Sequence, residues 1–395
     1  MTITINNKNK KTNVPNLRFP EFQGEWEKKS LGEIGDSFIG LTYKPTDVVS
    51  EGGLIVFRSS NIQNGCMDYK DIVRVNKNVK EKLITKKDDL LVCARNGSAR
   101  LIGKNAILHE ADANQTFGAF MMVFRSDKNH FVHQLLNTRR YTSQVSENLG
   151  ARINQITSSD LSSFEFFFPT ENSEMNKIAA LLDLLDERIV TQSKIIDKLQ
   201  TLIKGIVDST ILRKEKNAIV GDVCSISEQI RAEANIDDII TVRLHGNGVC
   251  KSSAENLQLG ATQYYRRRAG QLIYGKQNFH NGAIGIVPIS LDNGITSKDI
   301  PSFDIDEMKC NSVYLLAQLQ SPQYYKPAEA LTTGTGSKRL KEETFLKMPI
   351  VLPNKREQDN IATLIISISA NLDQAKKMLD LFSIQKQYLL RQMFI

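Results

Sequence analysis

The sequence predicts a mixed α/β fold. Two similar α/β domains are separated by a pair of long antiparallel helices that form a coiled coil, and the whole is a pseudo-two-fold internal repeat. The segment from Lys177, KIAALLDLLDERIVTQSKIIDKLQTLIKGIV, has no Pro and one Gly, and its apolar residues recur at steps of three and four. A similar segment ends the chain, and the blocks before both segments resemble each other. Apolar residues at this spacing form the seam of a long helix that needs a partner helix.

The two helical segments carry matching seams. Ile178 of the first corresponds to Ile361 of the second, and the later seam positions follow at the same offset, although Gln192 meets Ala375. A helix of about forty residues is roughly 60 Å long, at about 1.5 Å per residue. The predicted seam comprises Ile178, Leu182, Leu185, Ile189, Ile196, Leu199, Ile203, Ile206, Ile361, Ile365, Ile368, Leu372, Leu379, Phe382 and Leu389.

The repeat extends upstream of both helices. FEFFFP matches MPIVLP, LGEIGD resembles VGDVCS, IVFRSSN resembles ITVRLHG, and DDLLVCARNG resembles AGQLIYGKQN. A period this long indicates a domain duplication rather than a solenoid. Short apolar runs between Gly, Asn, Ser and Asp turns predict strands in each block. The predicted division is a disordered lead at 1–15, domains at 16–170 and 216–354, and helical spacers at 171–215 and 355–395.

Composition favours an intracellular protein with an anionic partner. The chain has 395 residues and a formal net charge of +7, which favours a polyanion. Its five cysteines are scattered without a CxxC pair, as expected for reduced thiols in the cytoplasm. The sequence has no run of eighteen apolar residues, and the opening MTITINNKNKKTN lacks the apolar core of a signal peptide. We therefore predict a cytoplasmic protein without a membrane span.

Catalytic motifs are hard to find in the sequence. TTGTGSKRL at Thr332 resembles a phosphate-binding loop only superficially, because its glycines have the wrong spacing. The chain lacks the Asp/Asn-Pro-Pro-aromatic tetrapeptide with which amino-methyltransferases of DNA hold the target amine. HFVH at His130 places two imidazoles three residues apart, without a third ligand nearby in the sequence, which favours a packed or surface pair. We expect no catalytic residue, no metal and no cofactor in this chain.

Polar and basic loops occupy matching places in the two blocks. Arg with Asn or Gln is the combination that reads guanine and adenine edges, and neighbouring Gly and Ser allow the backbone to approach phosphates. Such residues also populate ordinary solvated loops, but their repetition in both halves of a basic protein favours contact with DNA. The candidates are Arg58, Ser60, Asn61, Arg95, Asn96, Ser98, Arg100, Lys104, Arg152, Asn154, Arg243, His245, Asn247, Arg267, Lys276, Gln277, Asn278, Lys338 and Arg339.

Together these features resemble the specificity subunits of type I restriction–modification systems. The likeness covers nearly the whole chain from Asn13. The opening NVPNLRFPEFQGEWEKKSLGEIGD, with Arg18, Phe19, Pro20, Phe22 and Trp26, is similar to the start of many such subunits. EMNKIAALLDLLDERI and EQDNIATLIISISANLD resemble the two conserved helical regions of that family. The second helix departs from the pattern, since it is poorer in seam leucines and carries Ser367, Ser369 and Lys386.

The resemblance implies a function in DNA recognition. Each block would be a target recognition domain that reads one half of a bipartite sequence in double-stranded DNA. The helices would space the two domains and hold two modification subunits, which carry the adenine methyltransferase and its S-adenosylmethionine. Restriction subunits would add ATP- and Mg-dependent translocation and cleavage, so this chain itself would be non-catalytic.

Two alternatives stay open at this level. One is a specificity subunit of a related system whose modification and restriction activities share a single partner chain. The other is a coiled-coil adaptor without a DNA role, against which the basic loops argue. A self-contained nuclease is a more distant possibility, because the loops lack a clustered set of metal-binding carboxylates.

Overall fold

The computed structural model describes residues 4–5, 13–149, 154–252, 262–334 and 338–395. The chain forms two compact units, one of residues 1–191 with 378–395 and one of residues 192–377. A π-helical turn, Asp208–Leu212, follows the longest helix of the first half. The helices are α1 (Asn129–Leu135), α2 (Arg139–Leu149), α3 (Ser158–Ser163), α4 (Asn172–Val207), α5 (Ser312–Leu319), α6 (Pro322–Tyr325), α7 (Glu342–Leu346) and α8 (Lys355–Met393).

The first unit is built on two four-stranded sheets. Its strands are β1 (Thr4–Ile5), β2 (Leu17–Arg18), β3 (Glu27–Ser30), β4 (Asp36–Ile39), β5 (Val48–Val49), β6 (Leu54–Phe57), β7 (Ile62–Gln63), β8 (Cys66–Met67), β9 (Val73–Val75), β10 (Leu90–Cys93), β11 (Asn105–Ile107), β12 (Thr116–Phe117), β13 (Met121–Arg125) and β14 (Glu165–Phe168). One sheet has the order β11-β10-β13-β4 and the other β12-β6-β9-β5. Every residue of β10 is buried, as expected for a short continuous apolar run in the middle of a sheet.

The second unit repeats the first sheet of the first unit. Its strands are β15 (Ala218–Ile219), β16 (Cys224–Ile226), β17 (Arg231–Ala232), β18 (Ile240–Val242), β19 (Val249–Lys251), β20 (Tyr264–Arg266), β21 (Leu272–Tyr274), β22 (Ile284–Ile286), β23 (Ile295–Ser297), β24 (Ser302–Ile305) and β25 (Pro349–Ile350). The order β22-β21-β24-β16 has the same succession along the chain as β11-β10-β13-β4. The pairing of β14 with β3 likewise recurs as that of β25 with β15.

The two long helices pair in an antiparallel sense within each unit. In the first unit, Lys386 of α8 forms an ion pair with Asp186 of α4. In the second unit, the Gln192 side chain donates a 3.1 Å hydrogen bond to the Ala375 carbonyl, while Lys214, just beyond α4, pairs with Glu357. As the residue number rises along α4, the number of its partner along α8 falls, which is the antiparallel arrangement. The predicted fold class, mixed α/β with a duplicated block and an antiparallel helix pair, is confirmed.

The predicted seam positions of α4 and α8 all lie in the buried and half-buried classes. In the first unit, Ile178 and Leu182 join the main core together with Leu390 and Met393 of α8. In the second unit, Ile361 and Ile365 enter the core with Val207. The remaining seam residues from Ile189 to Ile206 and from Leu379 to Leu389 are half-buried, so the seam is covered less in the C-terminal half of each long helix than in the N-terminal half.

A buried ion pair fixes the opening segment to α4. The Arg18 guanidinium donates two 2.7 Å hydrogen bonds to the Glu174 carboxylate, which also accepts one at 3.4 Å from the Trp26 indole. Arg18 and Glu174 are 9% and 1% exposed. Two charges so far from water are stable only when paired and hydrogen-bonded, so this contact locks the start of the helix to the first domain.

Candidate nucleic-acid interface

In the first unit, the ends of four strands bring the predicted loops to one place. β6 and β12 are parallel, with Phe57 opposite Phe117, so the segments that follow them leave at the same edge. β10 and β13 are antiparallel, with Cys93 opposite Met121, so the segment after β10 meets the segment before β13. Arg58, Arg95 and Phe120 therefore stand at the ends of buried strands, where a rigid framework carries exposed side chains.

Side-chain hydrogen bonds connect these loops. The Asn96 amide donates to the Ser59 hydroxyl at 3.0 Å, which joins the loop after β10 to the loop after β6. The Asn154 amide donates to the Gly97 carbonyl at 3.1 Å, which joins a third predicted loop to the same group. The structure thus brings together the three polar segments that the sequence analysis proposed for the first half. Arg152 lies outside the described residues.

Two of the predicted residues shape these loops rather than project from them. Asn61 is 1% exposed; its side-chain oxygen accepts the Arg58 backbone N–H, and its amide donates to the carbonyls of Asp68 and Asp71. The Arg58 guanidinium pairs with the Asp71 carboxylate at 2.7 Å. Asn61 is accordingly a positioning residue, and Arg58 presents a charge that is already partly neutralised.

Three predicted cations beside these loops have no carboxylate partner among the described residues. Arg95 and Arg100 are exposed and Lys104 is half-buried, and the ion pairs among the described residues include none of the three. The guanidinium of Arg95 lies 5.3 Å from the centre of the Phe120 ring, a cation–π contact. Ser98 is exposed and Ser60 half-buried beside them. Full positive charges on this edge favour an anionic ligand.

In the second unit, backbone hydrogen bonds bring together the corresponding loops. The His245 N–H donates to the Asn281 carbonyl at 2.7 Å, which places the loop after β18 beside the turn that follows β21. The Leu340 N–H donates to the Lys276 carbonyl at 2.9 Å, which adds the segment of Lys338 and Arg339. Asn247, Gln277 and Asn278 are exposed in this group, as is His245 in a left-handed conformation (φ 60°).

Three of the five predicted cations of the second unit are paired with carboxylates. Lys276 lies 2.7 Å from the Glu342 carboxylate and its side chain is 16% exposed. Arg339 pairs with Asp299 at 3.3 Å, and Lys338 with Glu329 at 3.4 Å. Arg243 is exposed and donates a 3.1 Å hydrogen bond to the Cys250 sulfur. The two units thus share a framework and differ in the charge that their loops present.

Arg267 lies inside the fold of the second unit. It is 0% exposed, and its guanidinium donates to the hydroxyls of Thr296 and Ser302 and to the Ile300 carbonyl at 2.7–3.0 Å. Burial lowers its pKa to about 10. These bonds tie β20 to the segment that joins β23 and β24, so the residue supports the loops instead of facing a ligand.

His133 of the HFVH segment is buried beside two aspartates of α4 in the first unit, and nothing in the sequence indicated these distant partners. The ring nitrogens of His133 have no hydrogen-bond partner among the described residues, and burial lowers its pKa to about 4. One ring nitrogen and single carboxylate oxygens of Asp183 and Asp186 lie within 4.8 Å of one another, a set that could hold a metal ion. The Lys386 ammonium and the Gln134 amide already contact these carboxylates, so a cation is present in the cluster.

Phe120 is an exposed residue of this interface that the sequence analysis did not identify. In AFMMVF it reads as part of a buried strand, yet its ring is 57% exposed at the point where the polar loops converge. The available signal was its place directly after Gly118 and Ala119, one residue before the buried run of β13. Within the described residues, no helix is both long and apolar enough to cross a membrane.

Parts of the chain are similar to known proteins. Residues 23–201 match the family model "Type I restriction modification DNA specificity domain". The chain is 28% identical over 208 residues to the type I restriction enzyme EcoKI specificity subunit of Escherichia coli (strain K12), covering 49% of this chain and 44% of that protein. It is 27% identical over 189 residues to the StySPI specificity subunit of Salmonella potsdam, covering 45% of this chain and 40% of that protein.

A solved structure matches the fold over nearly the full length. The S subunit of a type I restriction–modification system from M. genitalium superposes with a TM-score of 0.65 at 14% identity, covering 97% of this chain and 99% of that one. The matched region spans less than half the length of the curated relatives. These findings confirm the resemblance that the sequence analysis drew.

Proposed function

We propose, from the premise that the chain belongs with the specificity subunits of type I restriction–modification systems, that it is the DNA-reading subunit of such a complex. It binds a bipartite target in double-stranded DNA, one half-site for each recognition domain. It directs adenine methylation and restriction by its partner subunits. The chain itself is non-catalytic.

The observation that carries this proposal is the repeated sheet with loops at equivalent strand ends. β10 and β21 occupy the same place in sheets of the same order, and each is followed by a loop with a cation, Arg95 or Lys276. Each unit has its own core, so one set of loops can change without repacking the other. Two independent reading surfaces in one chain suit a target made of two half-sites.

An exposed apolar stripe on α8 supports a protein partner. Met378, Leu381, Ile384 and Tyr388 of the first unit are 39%, 59%, 64% and 51% exposed, at steps of three and four that place them on one helix face. A solvent-exposed apolar stripe of this kind marks a contact with another protein. We assign it to the two modification subunits, with restriction subunits added to the same complex.

We assign the cofactors to those partners. Methyl transfer needs S-adenosylmethionine, and translocation with cleavage needs ATP and Mg; all three would be bound by the modification and restriction subunits. The curated relatives are each a specificity subunit of a type I restriction enzyme, that is, one component of a larger complex, which supports this division. Because the target is DNA, we place the complex in the cytoplasm.

Methylome mapping tests the proposal directly. The chain is expressed with its modification subunits in a host that lacks adenine methylation, and modified adenines are mapped by sequencing. The expected result is one bipartite motif, absent when either component is omitted. Replacing residues 16–170 with the same block of a relative should change one half of the motif only. Methylation by the purified chain alone would contradict the non-catalytic assignment.

The alternatives give different outcomes in the same host. If a single partner chain supplies both modification and cleavage, the motif appears with that partner alone. If the chain is an adaptor without a DNA role, no motif depends on its sequence. Ile384→Asp should abolish assembly with the modification subunits, whereas Gln385→Asp, an exposed polar neighbour on the same helix, should assemble normally. Normal assembly of both variants would show that the stripe does not contact the modification subunits.

A further inference from the structure

Phe120 is a large apolar side chain in a polar, cationic setting. It precedes β13 in the first unit and is 57% exposed. Around it lie the half-buried Asn96 and Gln155 and the exposed Arg95. An isolated exposed apolar residue is ordinary on a protein surface, so its exposure alone indicates nothing. Its backbone geometry and its cationic neighbour make it a candidate for a binding role.

A β-bulge fixes the position of Phe120. The backbone N–H groups of Ala94 and Arg95 both donate to the Phe120 carbonyl at 2.9 Å. Two consecutive residues after β10 thus lie opposite a single residue before β13. Such bulges redirect side chains at functional edges. The Arg95 segment is further held by a bridge to Gln155, and Asn96 by its bond to Ser59. The ring therefore stands on a rigid support.

Arg95 covers one face of the ring. Its guanidinium carbon is 5.3 Å from the ring centre, and the ion pairs among the described residues leave its charge uncompensated. With Phe120 57% exposed, much of the residue remains accessible to a planar ligand. An apolar protein surface would bury the nearby guanidinium and amide groups without partners, at high cost. A nucleobase with its phosphate provides both an aromatic face and an anion.

The second unit has a different residue at this position. The Lys276 N–H donates to the Asp299 carbonyl at 2.9 Å, just as the Arg95 N–H donates to that of Phe120. Asp299 therefore takes the place of Phe120, and its carboxylate pairs with Arg339 at 3.3 Å. At this position only the first unit has an aromatic side chain, so the effect of Phe120 should be confined to one half-site.

We propose that Phe120 and Arg95 form a base-stacking platform. The exposed Phe120 ring stacks on a nucleobase at a partly opened base step of the half-site read by the first unit. Arg95 holds the other face and meets the adjoining phosphate. Aromatic side chains that enter base steps in this way are stabilised by the base surface that they cover. This inference rests on the proposed function, since it assumes that the first unit binds DNA.

The test measures DNA affinity of the modification complex for its mapped target. Stacking of one base contributes enough that Phe120→Ala should weaken binding about 5- to 150-fold. Phe120→Tyr, which keeps the ring, should bind within about threefold of the unaltered chain, and Phe120→Leu should lose most of the affinity. Ile289→Ala is the matched control, because Ile289 is an apolar residue 88% exposed in the second unit, and it should bind normally. Thermal unfolding of the variants should be unchanged.

Two further readouts separate stacking from a general loss of contact. With 2-aminopurine at successive positions, one step of the first unit's half-site should brighten on binding, away from the methylated adenine, and Phe120→Ala should abolish that signal. Phe120→Ala should leave the salt dependence of binding unchanged, because no charge is removed. Normal affinity of Phe120→Ala, or equal affinity of Phe120→Leu and the unaltered chain, would overturn the platform. If the unaltered complex methylates no bipartite motif, the proposed function itself has failed.

Discussion

Arg95 and Lys276 occupy equivalent places, and the structure predicts that their removal has different consequences. Arg95 is exposed and stands apart from the ion pairs among the described residues. Lys276 is 16% exposed at its side chain and lies 2.7 Å from Glu342. A cation that is already neutralised by a carboxylate adds little attraction for a phosphate. Arg95→Ala should therefore reduce the electrostatic part of DNA binding, and Lys276→Ala should leave it nearly unchanged.

The size of the effect follows from counterion release. Each phosphate that a cation neutralises contributes about 0.9 to the slope of log affinity against log salt. A fourfold rise, from about 50 to about 200 mM, then weakens binding by about 3.5-fold for that one contact. The affinity lost in Arg95→Ala should thus be about 3.5-fold greater at the lower salt concentration. For Lys276→Ala the loss should be the same at both concentrations.

Fluorescence titration of the mapped target with the modification complex measures both slopes. Glu342→Gln is the informative third variant, because it leaves Lys276 in place and frees its charge. This variant should bind more tightly at low salt and steepen the slope by about one contact. Equal slopes for Arg95→Ala and the unaltered complex, or an equal fall for Arg95→Ala and Lys276→Ala, would refute the argument from pairing.

Three further outcomes follow from the structure of the first unit. Asn61→Ala removes three hydrogen bonds inside a loop and should lower the free energy of unfolding by about 2 kcal/mol in urea denaturation while also weakening DNA binding. Glu174→Gln leaves the buried Arg18 without its counter-charge and should cost about 3–5 kcal/mol, measured as a fall in the denaturation midpoint. Because burial lowers the pKa of His133 to about 4 in the folded chain, stability should be lost as the pH falls from about 6.5 towards 4, by about 3 kcal/mol in all. A His133→Asn variant should lack that part of the acid sensitivity in a pH series of urea melts.

The duplicated architecture was accessible from the sequence because both of its signals are periodic. Seam residues repeat every three or four positions, and a matching offset in two distant segments leaves little room for another arrangement. Finer breaks in this pattern were harder to place. The run from Phe131 to Leu149 reads as one helix, yet α1 ends at Leu135 and α2 begins at Arg139. Thr138 bonds the Leu135 carbonyl and accepts the Tyr141 N–H, so a local side-chain bond competes with helix continuation.

The interface was only partly predictable, because residue type does not determine whether a polar side chain points inward or outward. Arg95 and Arg267 are both arginines in polar loops, but one is exposed and the other is 0% exposed with its donors bonded to neighbours. Nor did the sequence indicate which cations are neutralised by carboxylates. Glu342, which pairs with Lys276, lies far along the chain and is brought close only by the fold. Tertiary contacts of this kind leave no periodic trace in the sequence.

The division of labour inside each unit explains how one framework can serve different ligands. β10 and β21 are buried along their length and hold equivalent places in their sheets, so substitution there costs packing energy. The residues at the strand ends differ freely, since Phe120 stands where the second unit has Asp299 and neither side chain supports the core. Changes at such positions alter the presented surface with little effect on stability. Divergence between the two reading surfaces should therefore accumulate at the strand ends while the sheets stay alike.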